Sequence, residues 1–319
     1  MANTRGVKSV PEDRGRLRVL SQSQAQGNLD DIIEALKEDS VVLVKNLEAD
    51  SADHIMHKVA SRFDLGDNLK LQAGLASFRG HRQNVGRYFM TVNERGAYQF
   101  IPPHSEGDSF INMQIASFYC YENSTDGGES ILLNVDDSSS VWELLKERCR
   151  RGRLASRPLA AHEVSRIRWM YHLNLPADIL GDDDQILEER RTEIPGFTVL
   201  EVLARIRKTH SHLLDRKVYA LWDSVGSIDF DLAAQYSDLL RQAALLREPE
   251  NGLELHVMDN AAKRHVWHSG VDYSQLFTCK ITHKMAPGDL LLQNNLTWTH
   301  SAANWSPKLG VRRITASFA

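Results

Sequence analysis

Apolar and polar positions change rhythm several times along the chain. Residues 1 to about 27 are polar and charged, with Pro11 among them, and predict a poorly ordered lead-in. In "NLDDIIEALKEDSVVLVKNL", Leu29, Ile32, Ile33 and Leu36 recur at helical spacing behind Asn28, a capping residue. The continuous apolar run "SVVLVKNL" then predicts a buried strand. "SADHIMHKVASRF" predicts a second helix with Ile55, Val59 and Phe63 on one face. From about 85 to 135 the period drops to two: "VGRYFMTV", "YQFIPPH", "FINMQIASFYCY" and "SILLNV" predict strands broken by Gly, Pro, Asn and Asp. "DDSSSVWELLKERCRR" predicts a helix with acidic start and basic end. The charge-rich stretch 160–250 contains "GDDDQILEERRTE", "VLEVLARIRKTHSHLL" and "FDLAAQYSDLLRQAALL" and predicts helical or loop material, an insertion or lid. Strand character returns in "GLELHVM", "QLFTCKITHKM", "GDLLLQNNLTWTH" and "VRRITASFA". Strands, a helical excursion and strands again predict one interrupted sheet system: a mainly β, α+β sandwich or barrel with helices packed outside, spanning 28–319 as a single domain.

The bulk numbers narrow the function. The chain has 319 residues, 42% apolar and 25% charged, as expected of a soluble globular protein. Its net charge is −4, from 38 basic and 42 acidic residues, which gives no basic excess for nucleic acid. Cys120, Cys149 and Cys279 include no CxxC pair, so neither a disulfide framework nor a structural zinc site is expected. The N-terminal stretch lacks the apolar core of a secretory signal, and no apolar run reaches the roughly 20 residues of a membrane helix. A cytoplasmic protein with no membrane partner is the expectation; the oligomeric state is not legible.

The candidate chemistry begins at "FIPPHSEGDSF". On a strand, residues i and i+2 share a face, so His104 and Glu106 present an imidazole and a carboxylate side by side. Pro102 and Pro103 remove ladder donors and mark a strand start or edge. Near the C-terminus a strand ends at His300, a turn follows, and a last strand carries Arg312 and Arg313. Two imidazoles and one carboxylate on adjoining strands make a facial metal triad with open positions. The plain alternatives are a core histidine satisfied by Glu106 and a strand-end histidine at 300.

Three segments taken together, "PPHSEG", "DGGES" at 126–130 and "TH…RRITASF", resemble the iron- and 2-oxoglutarate-dependent dioxygenases of the taurine dioxygenase and clavaminate synthase type. The early helix and strand also look like that family's N-terminal pair, so the likeness runs over roughly 28–319. It implies a double-stranded β-helix, or jelly roll. It implies that His104, Glu106 and His300 bind Fe(II), that Ser130 donates to the 2-oxoglutarate carboxylate, and that Arg313 grips that carboxylate while O2 is the oxidant. Strand alternation admits only one inward arginine, and Arg313 is taken as that one, with Val311, Thr315 and Ser317 on its face and Ile314 and Phe318 against the helices. Four residues past Arg313, where the taurine enzymes carry a sulfonate-binding arginine, stands Ser317, which disfavours an alkylsulfonate. Glu106 stands where halogenating relatives carry Ala or Gly, which disfavours halogenation.

The expected activity is hydroxylation of an unactivated C–H in a small molecule, an amino acid or natural-product intermediate, free or carrier-bound, with succinate and CO2 released. Desaturation, cyclisation or epimerisation on the same scaffold, a protein-side-chain hydroxylase, and a non-catalytic jelly-roll binding module are the alternatives. Tyr88, Tyr98 and Phe100 are candidates for pocket lining or plain core. His210, His212, His265 and His268 are read as surface or packing residues.

Overall fold

The computed structural model describes residues 9–78, 82–92, 101–107, 113–176, 178–205, 209–218, 227–247, 265–306 and 309–319. In chain order the strands are β1 (Leu17–Ser21), β2 (Val41–Lys45), β3 (Met90–Thr91), β4 (Ile101–His104), β5 (Ile115–Asn123), β6 (Ser130–Val135), β7 (Glu147–Leu154), β8 (Gln185–Arg191), β9 (Phe197–Ala204), β10 (Thr209–Ser211), β11 (Arg216–Val218), β12 (Ser227–Asp229), β13 (His265–Trp267), β14 (Phe277–His283), β15 (Leu290–Asn294), β16 (Trp298–Ala302) and β17 (Arg312–Phe318). The helices are α1 (Gln22–Gly27), α2 (Asp30–Lys37), α3 (Ala49–Arg62), α4 (Gly66–Phe78), α5 (Ala161–Tyr171) and α6 (Phe230–Gln242).

Two sheets dominate. A six-stranded mixed sheet runs β1-β2-β15-β5-β17-β3, and a four-stranded sheet runs β14-β6-β16-β4. Alternation explains how they pack. On β2 and β15, Val42, Val44, Leu290 and Leu292 join Ile33 and Ile55 of the helical layer, while Val41, Leu43 and Leu291 turn the other way. There they meet Leu132, Ile281 and Trp298 of the four-stranded sheet. Burial of whole apolar side chains on both sheet faces, each contributing about 1.5–3 kcal/mol, fixes which residues face inward. The chain is thus α+β: two opposed sheets, with α2, α3 and α4 outside the larger one and α6 outside the smaller. α2 forms where the periodicity placed it, with the Asn28 side chain accepting from the Asp30 amide (3.2 Å) and Asp30 and Asp31 in its first turn.

Several expectations need correction. Part of the 1–27 lead-in is built into the fold: β1 pairs in parallel with β2, and Ser21 caps α1 through a capping box with Gln24. "VWELLKERCRR" is a short 3-10 turn followed by β7, not a helix. "TVLEVLA" is strand β9, which pairs with β7 and β8 in a third, antiparallel sheet. Its burial along Phe197–Ala204 mixes periods of two and three, so the apolar pattern fits either element. The strand expected at "GLELHVM" lies outside the described residues. No helix among the described residues is long and apolar enough to cross a membrane.

Candidate metal centre

The strand pairing of the smaller sheet assembles the site. β16 pairs with β4 so that His300 stands opposite His104, and their ring centroids are 4.5 Å apart. Glu106 follows two residues later, beyond the end of β4, and its backbone is clamped from a distant turn. The Asn295 side-chain oxygen accepts from the Glu106 amide (3.0 Å), and its nitrogen donates to the carbonyls of Glu106 (2.8 Å) and Met113 (2.7 Å). Glu106 Oε1 lies 3.6 Å from His104 Nε2 and 3.9 Å from His300 Nε2. All three residues can offer ligand atoms within 4.8 Å of one another. Both carboxylate–imidazole separations are shorter than two metal–ligand bonds end to end, about 4.2 Å, so one ion can touch the carboxylate and either ring.

The surroundings hold the three in place. The Gln293 amide nitrogen sits 3.3 Å from His300 Nδ1 and donates to the Trp298 carbonyl (3.0 Å), leaving Nε2 turned toward Glu106. Phe118 packs on the other side of the His300 ring at 4.8 Å and meets Phe318 edge to face. Burial by itself would raise the Glu106 carboxyl. The bonds from His104 and His300 and the charge of Arg82 outweigh it and hold the carboxyl well below the usual carboxylate range. Glu106 is therefore anionic at neutral pH, as a ligand must be.

The arginine expectation is corrected. On β17, Ile314 belongs to the core between the sheets and Phe318 reaches Phe118, so Arg312, Ile314, Ala316 and Phe318 share the inner face. Arg313 is exposed on the opposite face, near Tyr121. Thr315 and Ser317 share that face, so the position four residues past the inward arginine is Ala316. A bulge beside Arg313, where β5 carries Tyr121 as an extra residue, accompanies the change of register.

Arg312 is the inward cation. Its Nε donates to the Gly128 carbonyl (3.1 Å), its guanidinium lies 6.0 Å from the Trp305 ring centre, and no carboxylate among the described residues pairs with it. Burial pushes its pKa down to about 10, against the opposing influence of Cys120, Glu129 and Tyr236. "DGGES" explains itself here. Gly128 has φ +69° and a Cβ on it would sit 2.8 Å from Arg312 Cδ, while a Cβ on Gly127 would strike the Asn304 carbonyl at 2.2 Å. Ser130 is buried at the start of β6, next to Ala302 of β16 and on the same strand face as inward Leu132.

The structure therefore brings together His104, Glu106 and His300, and turns Arg312 rather than Arg313 inward. Sequence reasoning missed Asn295, Gln293, Phe118 and Arg82. The short run "QNNLTWTH" ahead of His300 holds two of them, but nothing in its composition marks them. Tyr88 is core, stacked on His57. His212 bonds the Phe63 carbonyl and His268 pairs with Asp231. Tyr98, Phe100 and the side chains of His210 and His265 lie outside the described residues.

No protein-family model and no curated protein matches the chain. Among solved structures it is similar to PvcB from Pseudomonas aeruginosa, at 12% identity over 97% of this chain and 89% of that one, TM-score 0.40. It is also similar to the non-heme iron oxygenase OrfP in complex with Fe, at 13% identity over 92% and 80%, TM-score 0.41. A third is an asparagine oxygenase in complex with Fe(II), 3-hydroxyasparagine and succinate, at 12% identity over 91% and 78%, TM-score 0.40. PvcB is itself described as an Fe, alpha-ketoglutarate dependent oxygenase. Likenesses this distant leave the functional argument to the site.

Proposed function

We propose that the chain is an Fe(II)- and 2-oxoglutarate-dependent oxygenase of a small molecule, built on a double-stranded β-helix. The observation that carries this reading is the convergence of two imidazoles and an ionised carboxylate, with a half-buried arginine on the inner face of β17 that has no carboxylate partner among the described residues. The donor set fits a ferrous ion: three mixed N/O ligands on one side leave the remaining positions open. The Arg312 guanidinium, whose Nε is held by the Gly128 carbonyl, fits the far carboxylate of a 2-oxo diacid, with its planar fork suited to two parallel hydrogen bonds.

When bound, iron with 2-oxoglutarate and O2 supplies oxidative decarboxylation and attack on an unactivated C–H bond, hydroxylation being the default outcome. His104 and His300 present their Nε2 atoms, and Glu106 contributes its charge without first losing a proton. Arg312, held by Gly128 and with Ser130 nearby on β6, orients the co-substrate. Phe118, Phe318 and Ile314 exclude water from the space between the sheets.

In this reading residues 28–319 form one oxygenase unit, and the excursion 160–250 covers its mouth. Arg247, at the end of that excursion, supports the assignment. It makes a two-pronged ion pair with Glu129 (2.9 and 3.1 Å) and donates to the Asp126 carbonyl, fastening the excursion to the glycine turn that cradles Arg312. The test is anaerobic: Fe(II) plus 2-oxoglutarate is expected to give a visible charge-transfer band in wild type and none in His104→Ala. No band in wild type, or an unchanged one in the variant, removes the reading.

A further inference from the structure

The second cation at the centre, Arg82, has so far served only to help keep Glu106 ionised. Its guanidinium lies 3.6 Å from Glu106 Oε1, 3.7 Å from the Met90 sulfur and 5.8 Å from the centre of the Phe318 ring. A guanidinium carries five N–H donors. Here the ion-pair contact exceeds hydrogen-bond length, and the thioether is a weak acceptor, so no oxygen among the described residues accepts from it. The side chain is only 24% exposed, which makes unmet donors costly.

The simplest role, counter-ion to Glu106, is incomplete. Once Glu106 is committed to a metal ion, its charge is offset and Arg82 needs another anion. Position completes the argument. His300 is closed in by Phe118 and Gln293 and is 8% exposed, whereas Glu106 at 19% and Arg82 mark the more open side of the triad. Arg82 comes from the segment after α4, and Arg312 from β17 by the glycine turn, so the two cations serve separate places. Ala316, on the inner face beside Phe318, contributes no charge.

We infer that Arg82 binds a carboxylate of the primary substrate, which is therefore a small organic acid whose reacting carbon lies within a few bonds of that carboxylate. This rests on the oxygenase reading. Glu106 and Arg82 being neighbours, an acid held by Arg82 lies beside the metal position; a long chain reacting far from its carboxylate would not.

The test uses the full chain loaded anaerobically with Fe(II) and 2-oxoglutarate, titrated with the common L-amino acids and short alkyl and aryl carboxylates, each alongside its carboxamide. The readout is the perturbation of the visible band, not turnover. Wild type is expected to bind at least one acid roughly tenfold or more tightly than its amide, the loss of one charge-assisted contact. Arg82→Gln is expected to lose that acid-over-amide preference, and Arg82→Lys, which keeps the charge beside Glu106, to retain part of it. A purely structural arginine would weaken acid and amide alike. Absence of the band in wild type overturns the oxygenase reading and this inference with it. A normal band with no acid response in wild type, or an undiminished preference in Arg82→Gln, overturns this inference alone.

Discussion

Exchanging each of the two adjacent arginines in turn gives a sharp test, because the structure assigns them opposite roles. Arg312→Gln removes the inward guanidinium, which is half-buried and has no carboxylate partner among the described residues. Arg313→Gln alters an exposed side chain on the other face. Partial burial depresses the Arg312 pKa to about 10, so the fold disfavours its charged form. Removing that charge is therefore expected to leave the co-substrate-free protein at least as stable as wild type, apart from the lost bond to the Gly128 carbonyl. The same change is expected to cost 2-oxoglutarate its charge-assisted partner. Hydrogen bonds to charged groups contribute about 1.5–3 kcal/mol, so the affinity falls by about tenfold to more than a hundredfold. Arg313→Gln is expected to change both quantities by less than about 0.5 kcal/mol. Anaerobic titration of the charge-transfer band with 2-oxoglutarate measures the affinity, and chemical denaturation of the unloaded protein measures stability. Loss of affinity in Arg313→Gln with Arg312→Gln unaffected would refute the assignment of faces on β17.

Other outcomes follow from the same geometry. Asn295→Ala leaves the Glu106 amide and carbonyl and the Met113 carbonyl without partners; denaturation should show a loss of at least about 2 kcal/mol, and calorimetric titration a roughly 10- to 100-fold weaker metal affinity. Gly128→Ala forces a side chain into a left-handed position against Arg312; thermal unfolding should register about 1–2 kcal/mol, and the same substitution should weaken 2-oxoglutarate binding. Glu106 has a carboxyl held lower in the fold than in the unfolded chain, so its contribution is complete above about pH 4.5 and lost as pH falls through the folded value. Denaturation across acid pH should therefore show a shallower fall for Glu106→Gln than for wild type.

How much of this was legible beforehand depends on how local each signal is. His104 and Glu106 could be read because a two-residue spacing on a strand is local, and His300 because it closes the apolar run ahead of the arginine pair, although the structure places it in the middle of β16. The choice between Arg312 and Arg313 turns on parity, and one misplaced residue inverts a whole strand, so only the pairing of β17 with β5 decides it. Asn295 and Gln293 act across sequence separations or through packing that no pattern records; Asn295 is 189 residues from the backbone it clamps. The three-stranded sheet of β7, β8 and β9 was hidden for a different reason. β8 is exposed along its whole length and β7 is rich in arginine, so neither shows the alternation of a half-buried strand, and β9 alone was ambiguous.

The most direct measurement of the central claim is an anaerobic spectroscopic titration with Co(II), whose absorption reports its ligand set, in wild type and in His104→Ala, Glu106→Ala and His300→Ala. One equivalent bound tightly by wild type, with affinity strongly reduced by each of the three substitutions, is the predicted result. Equal affinity in wild type and in any one of the variants would contradict it, because that side chain would then stand outside the metal's ligand set.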